Sequence, residues 1–288
     1  MSTLRPRRSV LYMPAANERA LEKAKGIAVD ALIFDLEDAV SPDAKDAARE
    51  NAVKAASSGE YGKREITIRC NGLDTPWGSA DIAAAAKACA SAIVIPKVSD
   101  VATLNEVSRQ LDAAGAPKEM LIWAMVETPT AIFDARAIAA HPRVAVLVMG
   151  TNDLAKELGA SQVPGRAPLY PHLATALLAA REAGKPIVDG VFNDFKNAEG
   201  FLAECVQGKE MGFDGKTLIH PDQVAVANSV WAPSEAEVEH ARRVIEAFNE
   251  GLAAGKGVVQ LDGKMIENLH VANAQRALAI ADAIAALA

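Results

Sequence analysis

Three cysteines in 288 residues, Cys70, Cys89 and Cys205, are too few and too scattered for a disulfide framework or a zinc or redox spacing. They read as reduced thiols and point to a cytoplasmic protein. No run approaches the ~20 continuous apolar residues of a membrane span, and no apolar stretch of signal-peptide length follows the basic N-terminus. Positive charge is also scarce: 30 Lys and Arg face 37 Asp and Glu, a formal charge of −7. That balance, with no dominant basic cluster, argues against a nucleic-acid partner. The run from Arg5 to Arg8 is too short to change this, although it can meet one anionic ligand. Aromatic residues make up 5% of the chain, and the three tryptophans do not cluster into a base-stacking platform.

Apolar residues, by contrast, are 50% of the chain, enough for a large core. They come in short runs: Arg8–Met13, Ala31–Glu37, Ile66–Asn71, Ala92–Lys97, Leu121–Glu127, Val144–Gly150, Pro186–Val191 and Thr217–His220. Continuous apolar character over so few residues suits strands buried on both faces. The Ala-rich segments between them have helical period and are long enough for parallel crossovers. Eight such alternations within ~230 residues predict a (β/α)8 TIM barrel. An open doubly wound sheet is the competing architecture, but no G-x-G-x-x-G follows the first run. The barrel is expected over residues 1–232. Residues 233–288 exceed it and are expected to form a helical lid or an arm to a neighbouring subunit. There, Ser234 and Glu237 predict a capped helix to about Ala254. A short apolar segment, Val258–Leu261, leads to a turn at Asp262 and Gly263, with a last helix from about Met265 to Leu287.

The runs end in polar residues: Asp35 and Glu37, Arg69, Lys97, Glu127, Asp153 just beyond the sixth, Asp189 and His220. Convergent charges at the C-terminal ends of barrel strands are where an active site belongs. Glu127 and Asp153, on consecutive strands, form an oxygen-only pair suited to magnesium, with manganese as a substitute. The alternative is that they cap the helices next in the chain. Arg69 could grip a carboxylate or steady an enolate oxygen, or could pair internally with Glu37 or Asp38. Lys45 and Arg49 read as surface partners of that acidic cluster. Gly150, Thr151 and Asn152 could present amides and a hydroxyl to a substrate carboxylate. His220 reads as a buried, hydrogen-bonded residue before a catalytic one.

These residues lie in blocks that resemble the HpcH/HpaI aldolase and citrate lyase β-subunit family over nearly the whole chain. The blocks run Arg8–Pro14, Asp30–Val40 with Lys45 and Arg49, Ile68–Gly72, Ile95–Lys97, Val126–Pro129 and Met149–Leu154. They continue with Asp189-Gly190, Gly212–Pro221 and Asp262–Ile266. The resemblance implies a TIM barrel whose C-terminal helices close over a neighbour's site, in homotrimers or dimers of trimers. It implies magnesium at Glu127 and Asp153, and Arg69 on the enolate and carbonyl, with Glu37 and Asp38 in the same catalytic cluster. It places Arg8 among the coenzyme A contacts, and Lys97, Gly150, Thr151, Asn152 and Glu127 around the substrate. The activity implied is carbon–carbon cleavage of malyl-CoA, methylmalyl-CoA or citramalyl-CoA to a 2-oxo acid and an acyl-CoA. A malyl-CoA thioesterase and a citrate lyase β-like subunit serving an acyl carrier protein are the alternatives, with a free-acid aldolase behind them. One departure stands out: Glu267 occupies the place of the aspartate that relatives use as proton donor, one methylene longer.

Overall fold

The computed structural model describes residues 4–255 and 257–287. Its first eight strands are β1 (Ser9–Pro14), β2 (Ala31–Asp35), β3 (Glu65–Arg69), β4 (Ala92–Ile95), β5 (Leu121–Val126), β6 (Val144–Met149), β7 (Ile187–Val188) and β8 (Lys216–Leu218). Each starts within one residue of an apolar run. Except at β1, which reaches one residue past its run, the runs overshoot the strands by one to three residues at their C-terminal ends. The strands lie parallel in the order β7-β6-β5-β4-β3-β2-β1-β8. A parallel bridge between Asp189 and Lys216 joins the two edges, with the Asp189 amide donating to the Gly215 carbonyl at 2.9 Å. The sheet is thereby closed into the expected (β/α)8 barrel.

Alternation builds its two layers. Ala31 and Ile33, Ala92 and Val94, Trp123 and Met125, and Val146 and Val148 fill the interior together with Val10 and Val188. Leu32, Phe34, Ile93, Ile122 and Leu147, at the intervening positions, are equally buried and must face the helices, since successive side chains point to opposite faces. Those helices are α1 (Glu18–Ala24), α2 (Lys45–Ser57), α3 (Gly78–Ala85), α4 (Val101–Ala113), α5 (Pro129–Ala140), α6 (Thr151–Leu158), α7 (Tyr170–Glu182), α8 (Ala198–Met211) and α9 (Val224–Trp231). Among the described residues no helix is long and apolar enough to cross a membrane.

The chain divides into two compact units, residues 7–228 and residues 229–287 with 4–6. In the second, α10 (Glu235–Ala253) carries the expected capping box, Ser234 accepting from the Glu237 amide and Glu237 from the Ser234 amide. Beyond α10 the structure corrects the expectation from sequence: Lys264–Ile266 is a strand, β10, not the start of the last helix. It pairs antiparallel with β9 (Val259–Leu261). Asp262 and Gly263 both take positive φ, 52° and 78°, the geometry of a tight primed hairpin turn. The last helix, α11, therefore begins at Asn268 and runs to Leu287. Phe248, Val244, Ile266 and Ala274 close this unit's own small core.

Candidate active site

Arg69 ends β3 in register with Asp35 at the end of β2, so both side chains leave neighbouring strands on the same face. The result is a two-pronged pair: Arg69 Nε donates to Asp35 Oδ1 at 2.6 Å and Nη2 to Oδ2 at 2.7 Å. Nη1 reaches Glu37 Oε2 at 2.7 Å and, more distantly, Asp38 at 3.5 Å. Asp35 also accepts the Glu37 and Ala39 amides. Asp35, in the sequence only one acid of a cluster, is thus the residue that fixes the guanidinium. Two carboxylates cannot both be neutralised by one cation, and burial pushes the Glu37 carboxyl up to about 8 against the pull of Arg69.

Lys45 and Arg49 are not surface partners of these acids. Lys45 is buried and donates to the Leu36 and Glu37 carbonyls at 2.7 Å each and to Asn71 Oδ1 at 2.8 Å. Arg49 holds Asp81, which accepts in turn from the Asn71 side chain. Lys45 thus pins the backbone of the acidic loop directly, and Arg49 supports it through Asp81 and Asn71, whose amide donates to the Leu36 carbonyl, because buried carbonyls need donors.

Glu127 follows β5 and is 2% exposed. Its Oε1 accepts the Lys97 amide at 2.6 Å, and Lys97 adopts φ 50° to present that amide. Positive φ in a residue other than glycine costs free energy, which makes this turn a feature of the site. Thr128, not Glu127, caps α5, and Asp153 makes no cap bond at the start of α6. Both carboxylates are therefore left for other work. Burial first, and then Asp153, push the Glu127 carboxyl up to about 7, although the Lys97 amide and Arg69 oppose this. An unmet demand for positive charge, on oxygen donors alone, fits a hard divalent cation. Among the described residues no group of three or more His, Cys, Asp or Glu is placed to hold a metal.

Gly150, between β6 and α6, is where the backbone passes against Glu127: an added Cβ would lie 2.1 Å from Glu127 Oε2. Its φ of −97° suits any residue, so Gly150→Ala tests contact alone. That variant is expected to lose at least ~10-fold in turnover and about 1–3 kcal/mol in stability. Assay and urea denaturation would check both, and wild-type values would mean that Glu127 is not held there.

Tyr12, Arg69, Glu127, Thr151, Asn152 and Asp153 line one cleft of about 300 Å³, with Asp38 at its edge. The structure brings the proposed metal pair and the arginine into one space. Asn152 is engaged with Asn193 through two reciprocal amide bonds, at 3.1 and 2.8 Å. Lys97 is exposed; burial lowers its pKa, but Asp153 and its acidic neighbours outweigh that and leave it raised. Tyr12 was not anticipated. The available signal was a hydroxyl-bearing aromatic near the C-terminal end of the first run.

Three other expectations, for Arg8, His220 and Asp189, are corrected. Arg8 stands at the start of β1, at the opposite end of the barrel, where Asp30 grips it bidentately at 2.7 and 2.8 Å; it is not a mouth residue. His220 is not buried: it is half-exposed, stacks on Phe195 at 4.5 Å and accepts the Asp222 amide. Asp189 is fully buried and consumed by Arg166 and Lys216. Glu267 is exposed in the second unit, its amide donating to His270 Nδ1 at 3.1 Å.

A model of the HpcH/HpaI aldolase/citrate lyase family matches residues 8–221. The chain is 54% identical over 281 residues to the (3S)-malyl-CoA thioesterase of Cereibacter sphaeroides strain ATCC 17023, covering 98% of this chain and 96% of that one. It is 34% identical over 289 residues to the citrate lyase subunit beta of Leuconostoc mesenteroides subsp. cremoris, with the same coverage of 98% and 96%. Its fold is similar to that of CitE from Mycobacterium tuberculosis in complex with magnesium, acetoacetate and coenzyme A. That match has a TM-score of 0.80 and 27% identity, covering 97% of this chain and 100% of that one.

Proposed function

Because the chain belongs to the HpcH/HpaI aldolase/citrate lyase family, we propose that it is a magnesium-dependent hydrolase of a malyl-CoA-type thioester. The observation that carries this reading is the likeness to a (3S)-malyl-CoA thioesterase, 54% identical across 98% of the chain. Carbon–carbon cleavage, toward which the sequence alone leans, becomes the second reading, supported by the citrate lyase relatives at 34% identity.

Glu127 and Asp153 would hold the magnesium, or manganese in its place. When bound, such an ion polarises substrate oxygens and relieves the repulsion between the two acids. The amides and hydroxyl at Gly150, Thr151 and Asn152 receive the substrate's free carboxylate at the N-terminus of α6, with Lys97 beside them. Arg69, held rigid by Asp35, meets the charge that develops on the thioester oxygen. Glu37 takes a proton from the attacking water, and Asp38 adds negative charge that keeps Arg69 oriented. An acyl-CoA is the partner; with Arg8 occupied by Asp30, its contacts belong to the mouth. The second unit would act as an arm within a homotrimer or dimer of trimers. In the second reading its Glu267 would protonate the carbon released by cleavage.

Malyl-CoA and magnesium given to the isolated protein separate the outcomes. Free thiol with malate supports hydrolysis. Glyoxylate with acetyl-CoA supports the second reading, and silence from well-folded protein favours a carrier-dependent subunit. A pH profile tests Glu37. Its carboxyl, pushed up to about 8, must be ionised to accept a proton. At saturating magnesium kcat/KM should therefore rise roughly tenfold per pH unit below that value and level off above it. Glu37→Gln should be slow and flat with pH; a profile unchanged by the substitution would remove Glu37 from the mechanism.

A further inference from the structure

Tyr12 comes from β1 on the Arg69 side of the cleft. Its ring packs on the barrel interior and lies 4.7 Å from the Arg69 guanidinium, face to cation. Among the described residues its hydroxyl has no hydrogen-bond partner, yet it is not sealed away as the Trp123 indole nitrogen is; it opens on the cleft. The neighbouring donors are committed. Asn152 and Asn193 bond each other, Thr217 donates to the Asp189 carbonyl at 2.9 Å, and two Arg69 nitrogens are spent on Asp35. The Thr151 hydroxyl stands on α6 with Asp153, on the side assigned to the cation and the substrate carboxylate. A phenol fixed by its own ring stacking, opening on the cleft with nothing to bond, is built to donate to a ligand.

We propose that the Tyr12 hydroxyl is a catalytic hydrogen-bond donor to the thioester carbonyl oxygen, acting beside Arg69. This rests on the hydrolytic reading above. Water oxygen adds to the thioester carbon, and the carbonyl electron pair moves onto oxygen, where the Tyr12 O–H donates to it and the charge of the Arg69 guanidinium, held by Asp35 and Glu37, stabilises it. Collapse re-forms C=O and breaks C–S; the sulfur leaves with the bonding pair and takes up one proton. The second water proton is released as the new carboxylate ionises. Burial chiefly, against the opposing pull of Arg69, raises the phenol well above the usual tyrosine range, so it donates as a neutral group.

Tyr12→Phe keeps the ring on Arg69 and removes only the oxygen. Thiol release from malyl-CoA at saturating magnesium should fall roughly 10²-fold in kcat, with KM within about threefold. The melting temperature and the magnesium affinity of the free protein, measured by calorimetry, should stay at wild-type values. Turnover within threefold of wild type would overturn the assignment. So would a loss confined to KM, or one accompanied by weaker magnesium binding, since either marks a packing role. The two failures are separable. Wild-type protein yielding glyoxylate in place of thiol defeats the hydrolytic reading, whereas the Tyr12 assignment fails only in the variant's rate.

Discussion

Asp153→Ala and Glu127→Gln should each lower magnesium-dependent turnover by roughly 10³-fold while the protein stays folded. Magnesium usually binds through one or two protein carboxylates and fills its remaining positions with water and substrate, so losing either acid removes half of what this chain offers. Glu127→Gln is the sharper variant. Its amide oxygen can still accept the Lys97 amide, now 2.6 Å from Oε1, and only the charge disappears. The effect on the metal-free protein has a definite sign. Burial and Asp153 push the Glu127 carboxyl up to about 7, so the group favours the folded state at low pH and loses that contribution as pH rises through 7. Magnesium should therefore raise the melting temperature of the wild type more at pH 8 than at pH 6. Glu127→Gln should abolish that difference. Turnover within a few-fold of wild type in both variants would place the cation elsewhere or dispense with it.

The second large effect is on stability and comes from residues that take no part in the chemistry. Asp189 and Lys216 are both 0% exposed and lie 2.9 Å apart. Arg166 meets the other Asp189 oxygen at 2.6 Å, and Glu204 meets Lys216 at 2.7 Å. Burial alone would raise the Asp189 carboxyl, but Lys216 and Arg166 together hold it below the usual carboxylate range. Asp189→Ala leaves two buried cations to share Glu204 at the seam where β7 meets β8, and should cost about 3–5 kcal/mol. Urea denaturation would measure it; a loss under 1 kcal/mol would mean that water reaches the seam. Because the folded-state value is lowered, this contribution is present above pH ~4 and fades below it. The seam also bears on the site: Gly190 passes so close to Thr151 that a Cβ would lie 2.3 Å from its hydroxyl. Some loss of turnover should therefore accompany the loss of stability.

Much of this molecule was legible in residue order. Short runs of β-branched and apolar residues separated by helix-period segments specify buried parallel strands, because each face of such a strand must be covered. Eight of them leave little choice but a closed barrel. The position of Glu127 and Asp153 at the ends of successive runs follows from the same pattern, and so does their presence in one cleft. The Lys264–Ile266 strand was not legible. Met265 and Ile266 look like helix until the positive φ of Asp262 and Gly263 turns the chain back, and only the pairing partner across that turn reveals the strand.

The charged run-ends divide in a way the sequence does not express. Eight polar residues read alike as mouth groups, and the fold sorts them by what lies across from each. Arg69 finds Asp35 in register and becomes a fixed cation facing the cleft, while Asp189 finds Lys216 and Arg166 and is sealed into the closing seam. Arg8, grouped by its sequence block with the ligand contacts, is turned to the far end and taken by Asp30. For Glu127 and Asp153, then, residue order alone determined the strand positions and the oxygen-only chemistry. The tertiary structure decided that neither is taken into an ion pair among the described residues, because burial and mutual repulsion leave a demand for positive charge that no protein cation fully meets.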